Sequence, residues 1–303
     1  MDTSEFLEKA YDSDAFTTSQ TTAGYINPET WDKQLMTYTK EKLVLANLGK
    51  SIDMRGGDNG DKRYITIGVE PTKAAAVDES ADVAVQAYEK TQVSFEPSER
   101  GTAYQMTNKE KDRTFVPLMQ DMVSQLGYAL AKKVDSELVT LLQGSAGNSV
   151  VADGVDESAL ASSNTIDYSD IVSAKKEILK DNLMPKYLVV NYSQYTDLLD
   201  LEAFRDVSQF GDRVAKTGFI GMVSGMEVFV TNQIGITDNV AKAIILAEDD
   251  QGMPAFGMAI KRDAYIETEY HALGRYTDVV AVMDYDVGVL RANGICTIAS
   301  YAS

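Results

Sequence analysis

Two kinds of reactive side chain are nearly missing from this 303-residue chain, and their scarcity excludes several kinds of site. The single cysteine, Cys296, excludes an internal disulfide and any zinc site built from cysteines. The single histidine, His271, excludes a catalytic mechanism or a metal site that needs several histidines. Enzyme chemistry that relies on either side chain in numbers is therefore ruled out.

Basic residues are scarce relative to acidic ones. The chain has 28 Lys and Arg against 46 Asp and Glu, which gives a formal net charge of −18. Because phosphate binding needs clustered Lys and Arg, this composition does not predict a tight grip on nucleic acid. The acidity favours solubility at high concentration. Its other interpretation is an acidic surface that does not bind DNA packed against it.

Long apolar runs are missing as well. No stretch reaches the roughly 20 apolar residues that a membrane helix needs, so we expect no membrane partner. Residues 1–16 carry five acidic residues where a secretory signal would carry basic and then apolar residues. A reducing compartment, the cytoplasm, is the expected location of the newly made chain.

No stretch of the sequence carries a recognisable catalytic or metal-binding motif. Without a nucleophile motif nearby, His271 is expected to be structural or superficial. Its apolar neighbours predict that Cys296 is a buried small hydrophobe. Residues 218–225 lack the spacing of a nucleotide-binding loop and predict a turn. The acidic clusters 248–250 and 284–286 lack calcium-loop spacing. We therefore predict no catalytic residues, no metal ligands and no cofactor.

The N-terminal part of the chain divides into three segments. Residues 1–27 are polar and patternless, which predicts an extended arm that only a neighbour would order. Residues 28–60 predict a helix opened by Pro28 and followed by a glycine-rich turn. Residues 61–90 alternate apolar and polar residues on both sides of a polar apex, which predicts an extended β-hairpin. Since an isolated two-stranded hairpin is marginal in water, we expect this one to lie on a neighbouring subunit.

The rest of the chain predicts an α+β fold. Within residues 91–166, two short strands precede the strongest helical pattern of the chain, at residues 115–143. A helix of that length extends about 40 Å. Residues 144–166 are small and polar and predict a loop. Residues 167–303 alternate helices and strands, with strands expected at 255–260 and 279–283 among others, which indicates a mixed sheet with helices packed on it.

The order of these elements resembles that of the major capsid proteins of tailed phages, whose shared architecture is called the Hong Kong 97 fold. The resemblance covers about residues 25–301. Its segments are the helix 28–48, the outgoing strand 60–67, the return 78–83, the strands 91–106, the helix pattern 129–138, and the segments 217–221 and 225–232.

This resemblance implies a division into parts as well as a function. The parts are an N-terminal arm (1–27), a helix and turn (28–60), an extended hairpin loop (61–90), a peripheral domain with a long spine helix (91–166) and an axial domain with returning C-terminal strands (167–303). The implied function is that of a coat protein forming the hexamers and pentamers of an icosahedral head. That head would enclose double-stranded DNA and contact it weakly.

The resemblance also implies partners and a location. A scaffolding protein is expected as a separate chain, because only about 27 residues precede the first helix. A portal and a possible decoration protein are further implied partners. The protein would be assembled in the host cytoplasm and would end in the virion capsid.

The hairpin supplies the predicted contacts between subunits. The residues chosen there are Arg63, Tyr64, Lys73, Asp78 and Glu79. Of these, Arg63 and Lys73 are expected to pair with acidic residues of a neighbour, although a solvated surface is the competing interpretation of each.

Two alternatives remain open at this point. An encapsulin, which is a bacterial nanocompartment, has the same fold and encloses enzymes in place of a genome, and it needs an inner groove for a cargo peptide. An α+β enzyme with paired carboxylates needs two carboxylates that converge in a cleft and have perturbed pKa values.

Overall fold

A long helix packed against two β-sheets dominates the architecture. The computed structural model describes residues 44–55, 62–68, 90–113, 118–201 and 221–302. The described helices are α1 (Asn108–Arg113), α2 (Leu118–Gly144), α3 (Tyr168–Lys180) and α4 (Tyr192–Asp200). The described strands are β1 (Lys50–Asp53), β2 (Arg63–Gly68), β3 (Lys90–Phe95), β4 (Ser98–Thr107), β5 (Asn148–Val151), β6 (Met184–Val190), β7 (Met222–Val223), β8 (Met226–Val230), β9 (Ile236–Thr237), β10 (Val240–Glu248), β11 (Phe256–His271), β12 (Tyr276–Val289) and β13 (Ile295–Tyr301).

The first sheet, here called the long-strand sheet, has the order β1-β11-β12-β4. Strands β11 and β12 are 16 and 14 residues long and form an antiparallel hairpin. Strand β4 pairs antiparallel with β12 along its whole length. Strand β1 pairs in parallel with β11, and it covers only the stretch from Gly257 to Ile260.

The second sheet, here called the seven-stranded sheet, has the order β5-β13-β10-β6-β8-β7, with β9 added to β10. It is mixed, because β5 runs parallel to β13 and β6 runs parallel to β8 while the other pairs are antiparallel. The strands β7 and β8 are joined by a two-residue turn in which Ser224 and Gly225 both have positive φ, 51° and 83°. Such turns match the twist of a hairpin, which explains the glycine at the second position.

Helix α2 takes part in the cores of both sheets. In its N-terminal half, the buried Leu126 and Leu130 pack with Val279 and Ala281 of β12. In its C-terminal half, Val134, Leu138 and Leu142 belong to the core beneath the seven-stranded sheet, together with Val189 and Ile244. Helices α3 and α4 cover the opposite face. The core between them and the sheet includes the buried residues Ile171, Ile178, Leu188, Leu198 and Ile245. The seven-stranded sheet is therefore covered on both faces.

The α+β prediction is confirmed, and so is the long helix, which the structure describes from Leu118 to Gly144. Several element boundaries differ from the prediction. The strand expected to end at Ile260 continues to His271, and its partner begins at Tyr276 instead of Val279. The predicted loop 144–166 contains the short strand β5. The predicted boundaries of the arm, hairpin, peripheral and axial parts remain predictions.

Candidate assembly surfaces

The base of the predicted hairpin is present as a separate two-stranded sheet, β2-β3, with Arg63 opposite Phe95 and Gly68 opposite Lys90. It is rooted by Phe95, which is fully buried. A Cβ at Gly288 would lie 2.7 Å from the Phe95 ring, so the ring occupies the space that a glycine leaves open. Ile65 and Ile67 are partly buried against the same cluster. The predicted alternation with one covered face is confirmed for the described part of the hairpin.

The outer face of this two-stranded sheet is exposed. Tyr64 is 59% exposed, as a residue that contacts another subunit would be in the isolated chain. Arg63 is also exposed, but its guanidinium Nη1 donates to the carbonyl of Asp53 at 2.5 Å. Lys62 and Glu96 form an exposed ion pair across the hairpin base. Arg63 therefore ties the hairpin base to the end of β1, whereas Lys62 joins the two sides of the hairpin base.

The remaining predicted contact residues, Lys73, Asp78 and Glu79, lie outside the described residues. Arg63 and Tyr64 lie next to each other on β2, and their side chains point to opposite faces of the strand. The role of all five residues in contacts between subunits stays a prediction.

A buried carboxylate on α2 holds the segment that leads into β1. Asp135 is fully buried. Its oxygens accept hydrogen bonds from the backbone N–H groups of Val44, Leu45 and Ala46, at 3.2, 2.9 and 3.2 Å. These donors are the otherwise unpaired N–H groups of a short 3-10 turn at residues 45–47. The position of Asp135 within an apolar helix pattern does not show what it binds, so this role cannot be predicted from the sequence.

A second cluster joins α2 to the long-strand sheet. The hydroxyl of Tyr285 donates to Glu137 Oε2 at 2.9 Å, and Arg100 Nε and Lys133 Nζ each lie 3.4 Å from Oε1. The Arg100 guanidinium carbon also lies 5.1 Å from the centre of the Tyr285 ring. Burial raises the pKa of Glu137, but the hydrogen bond from Tyr285 and the charge of Arg100 outweigh it and hold that pKa below its usual value. Burial, followed by the bond to Glu137, raises the pKa of Tyr285.

Glu248, Asp249 and Asp286 of the two acidic clusters have structural partners, whereas Asp284 Oδ1 is buried without a hydrogen-bond partner among the described residues. Glu248 pairs with Lys186 at 2.8 Å, and Asp249 pairs with Arg291 at 2.7 Å. Asp286 accepts hydrogen bonds from the backbone N–H groups of Glu96 at 2.7 Å and of Val287 at 2.9 Å. Among the described residues, no group of three or more acidic, histidine or cysteine side chains is arranged to hold a metal ion.

The carboxylate with the clearest helix-capping role has a raised pKa. Asp170 is buried, and burial raises its pKa. It accepts the backbone N–H groups of Asp153 at 3.2 Å and Asp167 at 3.0 Å, so it closes the N-terminus of α3. A perturbed pKa thus has a structural cause here, and it does not support the enzyme alternative.

The two single-copy residues have ordinary structural environments. Cys296 is fully buried in β13, as predicted, and burial raises the pKa of its thiol to about 12. His271 ends β11, with Nε2 3.1 Å from Asp278 Oδ2 and its ring centre 4.6 Å from that of Tyr276.

The far half of the long-strand sheet exposes large apolar side chains. Tyr104 is 46% exposed, Ile266 43% and Tyr270 54%, and Leu273 in the β11–β12 turn is fully exposed. Outward-facing apolar groups in such a concentration mark an interaction surface more often than a free one.

None of the helices in the described part of the chain is long and apolar enough to cross a membrane.

The fold is that of tailed-phage capsid subunits. A chain from Mycobacterium phage Che8 is 19% identical with a TM-score of 0.71, covering 90% of this chain and 97% of that one. A chain from the acid-stable capsid of the Helicobacter pylori bacteriophage KHP30 is 10% identical with a TM-score of 0.73, covering 94% and 99%. A chain from the capsid of Ralstonia phage GP4 is 13% identical with a TM-score of 0.70, covering 92% and 97%.

A family model gives the more specific assignment. The model described as "Phage capsid protein" matches residues 88–298, which is more than half of the chain. The protein therefore belongs to the phage capsid protein family. Among curated proteins, no sequence matches it.

Proposed function

We propose that this chain is a coat subunit whose copies form the hexamers and pentamers of an icosahedral phage head around double-stranded DNA. The observation that carries the proposal is the family match over residues 88–298. It favours a phage coat over the encapsulin and the enzyme. Assembly would rely on contacts between subunits and not on a catalysed reaction, because many individually modest contacts together close a symmetric shell.

The hairpin is proposed to make the lateral contacts. Its described base is firmly rooted by Phe95, while its outer face, including Tyr64, is exposed. A two-stranded sheet gains stability when a further surface covers it. In the shell, a neighbouring subunit would supply that surface, and Lys73, Asp78 and Glu79 would contact it together with Arg63 and Tyr64.

Other proposed partners follow from the coat role. A scaffolding protein would direct assembly in the host cytoplasm, a portal would replace one set of subunits, and a decoration protein is an optional addition. The packaged DNA would be contacted weakly, because the net charge of −18 repels phosphate.

Deleting residues 71–81 tests the proposal. We expect a folded subunit that fails to form shells, seen as an unchanged unfolding transition together with the loss of particles in negative-stain electron microscopy. The unmodified chain, expressed with its neighbouring genes, is the positive control, and a glycine-serine replacement of the same length separates loss of contacts from loss of length. Normal shells from the deletion would overturn the role of the hairpin, and a chain that stays monomeric in every form would overturn the coat function.

A further inference from the structure

The hairpin base, β2-β3, meets the rest of the subunit at its last pair of residues, where Arg63 lies opposite Phe95. Opposite residues of an antiparallel pair share a face, and Ile65 and Ile67 on this face pack on the hydrophobic cluster around Phe95. Apolar packing is non-directional, so it holds the hairpin base on the subunit without fixing the direction in which the hairpin leaves. Fixing that direction requires hydrogen bonds, because their geometry is specific.

Strand β3 is fixed by a carboxylate of β12. Glu96, which follows β3, donates its backbone N–H to Asp286 Oδ2 at 2.7 Å, and Asp286 Oδ1 accepts the N–H of Val287 at 2.9 Å. The backbone pairing between β12 and β4 ends at Tyr285 and Ser98. The Asp286 carboxylate therefore holds the joint between β3 and β4 just beyond the last backbone pair.

The joint itself, residues 96–97, has little freedom. Pro97 has no backbone N–H and a φ fixed at about −65°, and it restricts the preceding residue to extended conformations. The N–H of Glu96 is therefore the single backbone donor of the joint, and Asp286 accepts it. Next to the joint, the buried Phe95 ring occupies the space that Gly288 leaves open.

Strand β2 is fixed by Arg63 to a different strand of the same sheet. Its Nη1 donates to the carbonyl of Asp53, the last residue of β1. Strand β1 is paired with β11, and the N–H of Met54 donates to the Ile260 carbonyl at 2.8 Å. Because β11 separates β1 from β12, the hairpin base is bonded to two strands about 10 Å apart. Two attachments at that separation resist rotation about either one.

We propose that Asp286 and Arg63 are positioning residues that fix the direction in which the hairpin leaves the subunit, and that closure of the shell depends on this direction. The proposal rests on the coat function, in which the hairpin makes the lateral contacts. The six residue pairs of the hairpin base extend about 17 Å. A rotation of about 10° at its root would displace Gly68 by about 3 Å, which is more than a hydrogen bond tolerates.

Distances between two spin labels in the free subunit test the positioning. In a Cys296→Ala background, the labels are carried by Gln92→Cys on the outer side of β3 and Thr140→Cys on α2, both exposed positions. We expect one narrow distance distribution for this parent, and a distribution at least about twofold broader after Asp286→Ala. Arg63→Ala should broaden it as well, and Arg63→Lys should restore the parent width because an ammonium also donates to a carbonyl.

The matched control is Asp284→Ala, two residues away on the same face of β12. Asp284 Oδ2 lies 3.9 Å from Arg262 Nε of β11, so its loss should leave the distribution unchanged. If Asp286→Ala lost its cooperative unfolding transition, Asp286→Asn, which keeps one acceptor oxygen, would take its place.

Assembly is measured on the same variants without labels, expressed with the neighbouring genes and imaged by negative-stain electron microscopy. Asp286→Ala should lower the yield of closed shells about tenfold relative to Asp284→Ala, because small losses repeat at every symmetric contact.

The outcomes separate this proposal from the coat function. A broader distribution together with the loss of closed shells supports the proposal. An unchanged distribution, equal broadening in Asp284→Ala, or a broader distribution with a normal yield of shells overturns it and leaves the coat function standing. If the unmodified chain forms no shells, the coat function fails, and the dependence of shell closure on the direction of the hairpin fails with it.

Discussion

The two large sheets of this protein differ in how much of their surface the subunit itself covers. The seven-stranded sheet is sandwiched between α2 and the α3–α4 pair, and its central strands are buried almost throughout. The long-strand sheet has a helix over one face and exposes Ile266, Tyr270 and Leu273. Its strand β11 also has a free edge at residues 265–271, which pair only with β12 among the described residues. The comparison separates a region that stabilises the subunit from one with surface left for partners.

The strongest test of this comparison replaces one isoleucine in each sheet by alanine. Ile245→Ala removes a fully buried side chain from β10 and should lower the free energy of unfolding by about 2–5 kcal/mol. Ile266→Ala on the free edge should cost less than about 1 kcal/mol, because its side chain is 43% exposed. Chemical denaturation of the free subunit measures both. Equal losses would mean that the two sheets contribute alike and that the contrast is wrong.

The next effect concerns the buried carboxylate. Asp135→Ala removes the acceptor of three backbone N–H groups and should lower the free energy of unfolding by about 2–4 kcal/mol, since buried donors left unpaired are costly. The matched change, Asp121→Ala in the first turn of the same helix, should cost only about 0.5 kcal/mol through the helix dipole. Urea unfolding of both variants is the measurement. A similar loss in the two variants would show that Asp135 does not anchor residues 44–46.

A smaller, pH-dependent effect is expected at the cluster that joins α2 to the long-strand sheet. The pKa of Glu137 is lowered in the folded protein, so its contribution to stability is present above its usual pKa of 4.5 and is lost as the pH falls through the lower, folded value. The stability difference between the wild type and Glu137→Gln should therefore shrink as the pH is lowered below 4.5. Unfolding free energies measured across this range check the sign.

Tyr285→Phe provides the control for that experiment. It removes the hydroxyl that donates to Glu137 and should by itself cost about 1 kcal/mol. If the two side chains act together, the double variant should be less destabilised than the sum of the single ones. Additive losses would argue that the hydrogen bond contributes little.

The smallest expected effect is that the Cys296 thiol of the folded chain does not react with a thiol reagent. Because burial raises the pKa of Cys296 to about 12, a thiol reagent at pH near 8 should label the folded chain only as fast as it unfolds. In contrast, a cysteine placed at Thr268 on the free edge should be labelled at once in the free subunit. Mass spectrometry of a labelling time course compares the two. Rapid labelling of Cys296 would mean that the seven-stranded sheet opens readily.

Sequence periodicity was sufficient for the elements with one clear apolar side. It predicted α2 because Leu126, Leu130, Val134 and Leu138 recur at helical spacing, and it predicted the alternating strand that became β2. It missed the extension of β11 to His271. The alternation of Ile266 and Tyr270 with Glu267 and Glu269 is exposed, and two register irregularities separate it from the buried apolar stretch that ends at Ile260. Strand β5 escaped for another reason, since its four residues are ordered by pairing with β13.

The candidate surfaces were predicted less completely than the fold. Tyr64 is exposed, and its choice as a contact residue stays a prediction. The bond from Arg63 to the Asp53 carbonyl joins β2 to the end of β1, and no local periodicity indicates such a contact. Asp135 is the same kind of case, because its three donors lie about 90 residues earlier in the chain. Polar contacts of such long range are properties of the folded chain and leave no periodic signal.

The shared helix has a mechanical consequence. The N-terminal half of α2 packs into one hydrophobic core and its C-terminal half into the other, so the helix is held at both ends. A force applied to the turn at Leu273 would pass along the β11–β12 hairpin and through Val279 and Ala281 to α2. From α2 it would reach the core of the seven-stranded sheet. In the proposed shell, we therefore expect each subunit to move as one unit and deformation to occur at the contacts between subunits.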